Sequence, residues 1–205
     1  MSLGSEGALV SYLLAFSPWI AFALIPGGDW NWAALVATVL SVVGIVSQSR
    51  GGLPLDAQII AIGSAAYFAA LTVLAFADPH TTLHAYTAAL ASGALGLIGL
   101  VSLIVRRPYT LGLAKLEIPR HEWDNPLFFR VNVIITAIWT ASFIIGGTAL
   151  ALLVHDSVAI RSIVQGVAFV IPAAITVRYV TRQREQEKAR QATAASTAGQ
   201  PATSV

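Results

Sequence analysis

Six runs of apolar residues set the terms on which this chain can fold: Ala8 to Ile25, Trp30 to Val46, Ala57 to Phe76, Leu83 to Val105, Val131 to Val154 and Ile163 to Val180. A helix of about 20 mostly apolar residues, with a usual range of about 17–25, crosses the hydrocarbon core of a bilayer. No acidic or basic residue lies near the centre of any run. Only 11% of the 205 residues are charged, where a soluble domain carries roughly 25%. So few charges cannot cover a water-compatible surface, and lipid is the expected solvent. The predicted fold is all-α: an integral membrane bundle of six transmembrane helices over residues 1–190, followed by a disordered tail over 191–205 rich in Ala, Thr, Ser and Gly.

Eleven of the twelve Lys and Arg residues fall on one side of that arrangement; the other side holds only Arg161. The excess of positive charge on cytoplasmic loops then predicts both termini in the cytoplasm and three hairpins with short outer turns. A five-helix arrangement would put the two most basic segments on opposite sides. Met1 to Ala8 has no Lys or Arg and carries Glu6, unlike the positive start of a cleavable signal peptide, so the first run is expected to stay as a helix. Asp29, Asp78 and Asp156 each stand just before a span and are expected to cap it, because a carboxylate accepts unpaired backbone N–H groups. Asp124-Asn125-Pro126 predicts a start for the fifth helix near Pro126. There is no cysteine, which excludes disulfides, thiolate metal sites and a cysteine nucleophile. The net positive charge points to anionic lipid rather than nucleic acid, because the basic residues sit beside apolar spans.

The longest connection, Arg106 to Arg130, is too apolar for a free linker and too charged to span. Tyr109, Leu113, Leu116 and Ile118 share one face of a short helix, with Lys115 and Glu117 off that face, and Pro119 should end it. Trp123, Phe128 and Phe129 add aromatic anchors. Such a segment is expected to lie as an interfacial helix at the headgroup boundary, between the fourth and fifth spans. Arg106, Arg107, Lys115, Arg120, His121, Glu122, Trp123 and Asp124 make up its polar and aromatic set. One reading is a belt of lipid-facing cations with local ion pairs. Another is recognition of an anionic headgroup or of a partner protein. A catalytic use would rest on His121, Glu122 and Asp124.

Arg106-Arg107-Pro108-Tyr109-Thr110-Leu111, followed by Ile118-Pro119, Trp123, Pro126-Leu127-Phe128, Arg130, Asn132, Thr136 and Trp139, resembles the signature of an uncharacterised bacterial family of polytopic membrane proteins. That family is similar, more distantly, to inner-membrane septation protein A. The likeness covers roughly Arg106 to Phe143, about a fifth of the chain. It implies a location in the bacterial inner membrane and a role in the cell envelope. It supplies no reaction and no catalytic residues.

Within the fifth run Asn132, Thr136, Trp139, Thr140 and Phe143 recur at three-to-four-residue spacing and form one semi-polar stripe. Interhelical hydrogen bonding accounts for such a stripe. With Gln165 and Thr176 of the sixth run, it can also line a pore or pocket. Pro172 predicts a kink that frees a backbone carbonyl. Ala91, Ser92, Gly93, Gly96 and Gly99 allow close packing of the fourth helix. No Asp, Glu or His sits deep in a run, which weighs against proton coupling and metal-dependent chemistry. His80 and His84, four apart and near Asp78 and Asp156, are expected to be ordinary interfacial residues rather than metal ligands, and no cofactor is expected.

These residues, with the envelope role that the resemblance implies, favour a non-enzymatic protein that binds lipid headgroups or partner proteins through its cytoplasmic loop, alone or as a homo-oligomer. The alternatives are a channel for a small uncharged solute lined by Asn132, Thr136, Thr140 and Gln165, and a membrane enzyme acting on a lipid or isoprenoid. An interior cavity of ~300 Å³ or more with convergent polar groups would favour a ligand site over a plain scaffold.

Overall fold

The computed structural model describes residues 16–25, 29–50, 52, 55–115, 120 and 123–198. The described chain is helical throughout apart from its turns. It forms α1 (residues 16–24), α2 (Trp30–Arg50), α3 (Ile59–Ala77), α4 (Thr87–Ile104), α5 (Tyr109–Ala114), α6 (Pro126–Leu152) and α7 (Val158–Ala198). Turns of 3-10 helix over Leu55–Gln58 and Thr82–Tyr86 lead into α3 and α4. Among the described residues, five segments are long and apolar enough to cross a membrane: α2, α3, Thr82–Ile104, α6 and the Val158–Gln183 part of α7. The apolar helices are those of a membrane protein. Of the first expected span, 8–25, α1 is the part seen; residues 8–15 lie outside the described residues.

The helix ends differ from the sequence expectation in instructive ways. Asp78 does not cap the following helix. It closes α3, its N–H bonding to the Leu74 carbonyl, and Thr81 caps the next turn by accepting from the Leu83 N–H. Ser157, rather than Asp156, accepts from Ile160 N–H at the start of α7. A hydroxyl one residue closer to the helix reaches the open N–H groups where the aspartate falls short. Asn125 caps α6 through the Leu127 N–H, with Pro126 at its first position, as the Asn-Pro pair predicts. The helix of the last span begins before residue 163 and runs on to Ala198. Residues 191–198 continue this helix; 199–205 lie outside the described residues. Loss of hydropathy marks where a chain leaves lipid, and Ala, Gln, Glu, Lys and Arg continue a helix readily in water.

Two seams hold the bundle. Between α2 and α3, small Ala34 and Ala37 lie against Phe68, Leu71 and Ala75, with Trp19 and Phe22 of α1 packed on the same cluster. Trp30 Nε1 donates to the Pro79 carbonyl at 3.2 Å and ties the ends of those helices together. Thr38 and Thr72 share a 3.0 Å hydrogen bond at mid-depth. Between α4 and α6 the backbones approach closely at glycine. A Cβ on Gly147 would stand 3.2 Å from the Gly93 nitrogen, one on Gly96 2.9 Å from Ile144 Cγ1, and one on Gly99 would collide with Thr140 Oγ1.

The partner of α7 in this seam pattern is α6. Pro172 removes the N–H that would bond the Ala168 carbonyl, four residues earlier. Ser142 Oγ of α6 donates to that carbonyl at 2.6 Å. The freed carbonyl predicted from the sequence is thus satisfied across the helix pair. Trp139 Nε1 donates to Thr176 Oγ1 at 3.1 Å one level away. Only 6% of the apolar part of α7 is buried, against 39% for α6, so α7 sits at the margin of the bundle.

Candidate functional site

The connection between α4 and α6 opens with a helix stop of unusual composition. Arg106 has φ 55°, the left-handed conformation that glycine usually supplies. Its N–H bonds the Leu103 carbonyl, and the Arg107 N–H bonds the Ser102 carbonyl at 2.8 Å. That pair of bonds is the Schellman arrangement, with Arg106 in the position where glycine is commonest. Both arginines are exposed at the end of α4. Ser102, fully buried, donates to the Gly99 carbonyl and accepts from the Tyr109 N–H, which turns the chain directly into α5.

The apolar face expected of α5 is turned onto the bundle. Tyr109, Leu111, Gly112 and Leu113 are buried, and Tyr109 and Leu113 pack with Ile60 at the start of α3. Apolar partners were available at the foot of the bundle, so burial there displaces exposure to lipid. Burial also pushes the Tyr109 phenol above its ordinary range, which keeps it neutral. Thr110 Oγ1 donates to the Asn132 carbonyl at 3.0 Å and lies 2.8 Å from Thr136 Oγ1. With its one proton committed to the carbonyl, Thr110 accepts from Thr136. Leu116 and Ile118 of the expected apolar face, and Pro119, lie outside the described residues, as do His121 and Glu122.

Beyond α5 the basic residues gather on one aromatic ring. Lys115 Nζ is 5.2 Å and Arg120 Cζ 5.6 Å from the centroid of Trp123. Both distances are within cation–π range. Asp124 is exposed beside the Asn125 cap.

Two cavities lie between α1, α4, α6 and α7. The Tyr109 cavity has a volume of about 420 Å³ and is walled by Tyr109, Thr110, Leu113 and Ala114 of α5, with Asn132, Ile135 and Trp139 of α6 and Ala173 and Thr176 of α7. The His84 cavity, about 510 Å³, lies towards the other end, against Trp30, Ala33, His84, Ala88, Ser92 and Gln165. The His84 ring lies 5.0 Å from that of Trp30, tilted by 32°. Phe16, Leu95, Phe143 and Phe169 line both.

The expected polar stripe of α6 is therefore divided. Asn132 and Trp139 reach the Tyr109 cavity and Gln165 reaches the His84 cavity. Thr136 and Thr140 are buried against α5 and α4 and line neither. The polar atoms that do reach the Tyr109 cavity are largely committed elsewhere. Asn132 Nδ2 donates to the Phe128 carbonyl at 2.9 Å, and Trp139 and Thr176 bond each other. What remains is an apolar chamber of ligand-binding size. Phe16, Leu95 and Phe169, which line both cavities, read in the sequence simply as span residues, because nothing local distinguishes an apolar side chain that faces a cavity from one that faces lipid. Among the described residues no three His, Asp or Glu side chains come together as a metal site would need. Comparison with known proteins adds no relative: no family model, no curated protein and no solved structure matches the chain.

Proposed function

We propose that this membrane protein binds an anionic amphiphile of the bilayer, its headgroup at the basic connection and its chain in the Tyr109 cavity. The observation that carries this reading is the placement of α5. The same six-residue helix walls the cavity with Tyr109, Thr110, Leu113 and Ala114 and is flanked in sequence by Arg106, Arg107 and Lys115. An apolar chamber beside a cluster of cations is complementary to a molecule with an apolar chain and a phosphate or carboxylate head. Among the described residues no acid–base pair faces the chamber, and binding rather than turnover is the activity assigned. On this reading the chain has six spans in three hairpins. Its basic end and both termini face the cytoplasm of a bacterial inner membrane, and the role is the envelope role that the resemblance of residues 106–143 implies. A solute path along Asn132, Thr136, Thr140 and Gln165 fits less well, since the two threonines pack away from both cavities.

Equilibrium binding of hexadecyl phosphate to the purified protein in neutral detergent tests this, with hexadecanol as the uncharged reference. Each cation near a headgroup contributes about 1 kcal/mol. Arg106→Gln with Arg107→Gln should therefore weaken the phosphate by about 30-fold and leave hexadecanol alone. Ala173→Phe, which fills the cavity from the marginal helix, should weaken both. Equal affinity for the two probes, or indifference to Ala173→Phe, would defeat the reading.

A further inference from the structure

The His84 cavity plays no part in the reading above, yet it shares a wall with the Tyr109 cavity. We infer that the two are one chamber, and that the amphiphile bound there carries a single chain long enough to run nearly the full depth of the membrane. This inference rests on the proposed amphiphile site and names its ligand class.

Length is the first argument. Along α6 the Tyr109 cavity extends from Asn132 to Phe143, which is ~16 Å of helix at 1.5 Å per residue. Along α4 the His84 cavity extends from Thr87 to Leu95, a further ~12 Å by the same rise. Together they approach the ~30 Å of the hydrocarbon core. An acyl chain of an ordinary lipid fills one leaflet, ~15 Å of that core. The Tyr109 cavity alone would hold it, and the His84 cavity would have no occupant. A chain about twice as long, such as a polyprenyl chain, occupies both.

The partition is the second argument. Four side chains separate the cavities, and none is polar: Phe16, Leu95, Phe143 and Phe169. Phe143 is buried in the α4–α6 seam. Phe169 is different. It stands on α7, the helix with the least burial, and is 49% exposed. Its ring and that of Trp139 form a T-shaped pair with centroids 4.9 Å apart. A half-exposed ring on a marginal helix can rotate outward into lipid without opening the α4–α6 seam, and its departure joins the two volumes. The mean chemistry of the far cavity agrees. Trp30, Ala33, Ala88 and Ala91 offer apolar surface, with His84 at the far end and Gln165 one turn of α7 from Phe169.

The test uses two single-chain phosphates that carry a photoreactive diazirine at the chain terminus, one ~15 Å and one ~30 Å long when extended. Each is bound to the full-length protein in neutral detergent, irradiated, and the adducts are mapped by peptide mass spectrometry. The long probe should label the His84 cavity, at Trp30, Ala33 or Ala88, and the short probe the Phe143 level or below. Ala88→Phe should weaken the long probe by at least tenfold. Adducts of the long probe confined to the Tyr109 cavity or to the outer face of α7, or no loss of long-probe affinity in Ala88→Phe, would overturn the inference while leaving the amphiphile site standing. Failure of both probes to bind better than their uncharged alcohols would overturn the site itself. If Ala88→Phe does not fold, the adduct map of the unaltered protein decides alone.

Discussion

Arg106 shows how one residue can hold two roles in tension. A left-handed backbone at a non-glycine residue costs of order 1–2 kcal/mol, and glycine is the residue such helix stops favour. Arg106→Gly should accordingly stabilise the protein, by up to about 1 kcal/mol after the extra freedom of glycine in the unfolded chain. It should also weaken anionic amphiphiles severalfold. Thermal unfolding and hexadecyl phosphate binding, measured on the same preparation, would show the two moving in opposite directions; a destabilised variant with unchanged binding would count against the account. Ser142 gives a second residue-scale test. Hydrogen bonds between helices in lipid average about 0.6 kcal/mol and reach about 1.7. Ser142→Ala should cost an amount in that range in unfolding from bicelles. In a Pro172→Ala background residue 172 regains an N–H for the Ala168 carbonyl, and the serine should then contribute nearly nothing. A cycle showing no coupling would mean the hydroxyl is not answering the proline.

At the scale of elements, what could be read from the sequence was what depends on local chemistry. Apolar run length located α2, α3, α4 and α6 to within a few residues. Asn125-Pro126 fixed the start of α6, and Pro172 announced a free carbonyl. What could not be read depends on which helix lies next to which. Tyr109 and Leu113 form an apolar face that suits a headgroup layer equally well, and only the presence of Ile60 nearby decides that they turn inward. The stripe on α6 spans more of the helix surface than one neighbour covers, so Thr136 and Thr140 meet α5 and α4 while Trp139 meets α7. The glycines of α4 divide in the same way. Gly93 has open space where a Cβ would go, whereas a Cβ on Gly99 meets Thr140. Gly93→Ala should be nearly neutral. Gly99→Ala should cost about 1–3 kcal/mol, the usual range for overpacking. Thr140→Ala should restore most of that loss, because it removes the colliding hydroxyl, which has no hydrogen-bond partner of its own. Unfolding of the three single variants and the pair would show whether the α4–α6 contact is as close as described.

For the whole molecule, the seams and the chamber are complementary consequences of one layout. The α2–α3 and α4–α6 pairs are each drawn together by small residues and short polar bonds. The α7 helix is held to α6 chiefly at Ser142, Gly146 and Trp139, and among the described residues cavities lie between it and α1. On the proposed reading, a bundle with one loosely held helix opens sideways to lipid and the basic segment receives the headgroup. Native mass spectrometry tests this most directly. The protein would be released from nanodiscs holding equal amounts of an anionic and a zwitterionic lipid with the same chains. A retained adduct at the mass of the anionic lipid, one per chain, is expected, and it should be lost in the Arg106→Gln, Arg107→Gln variant. Adducts of both lipids in equal proportion, unchanged by that variant, would contradict the proposed reading.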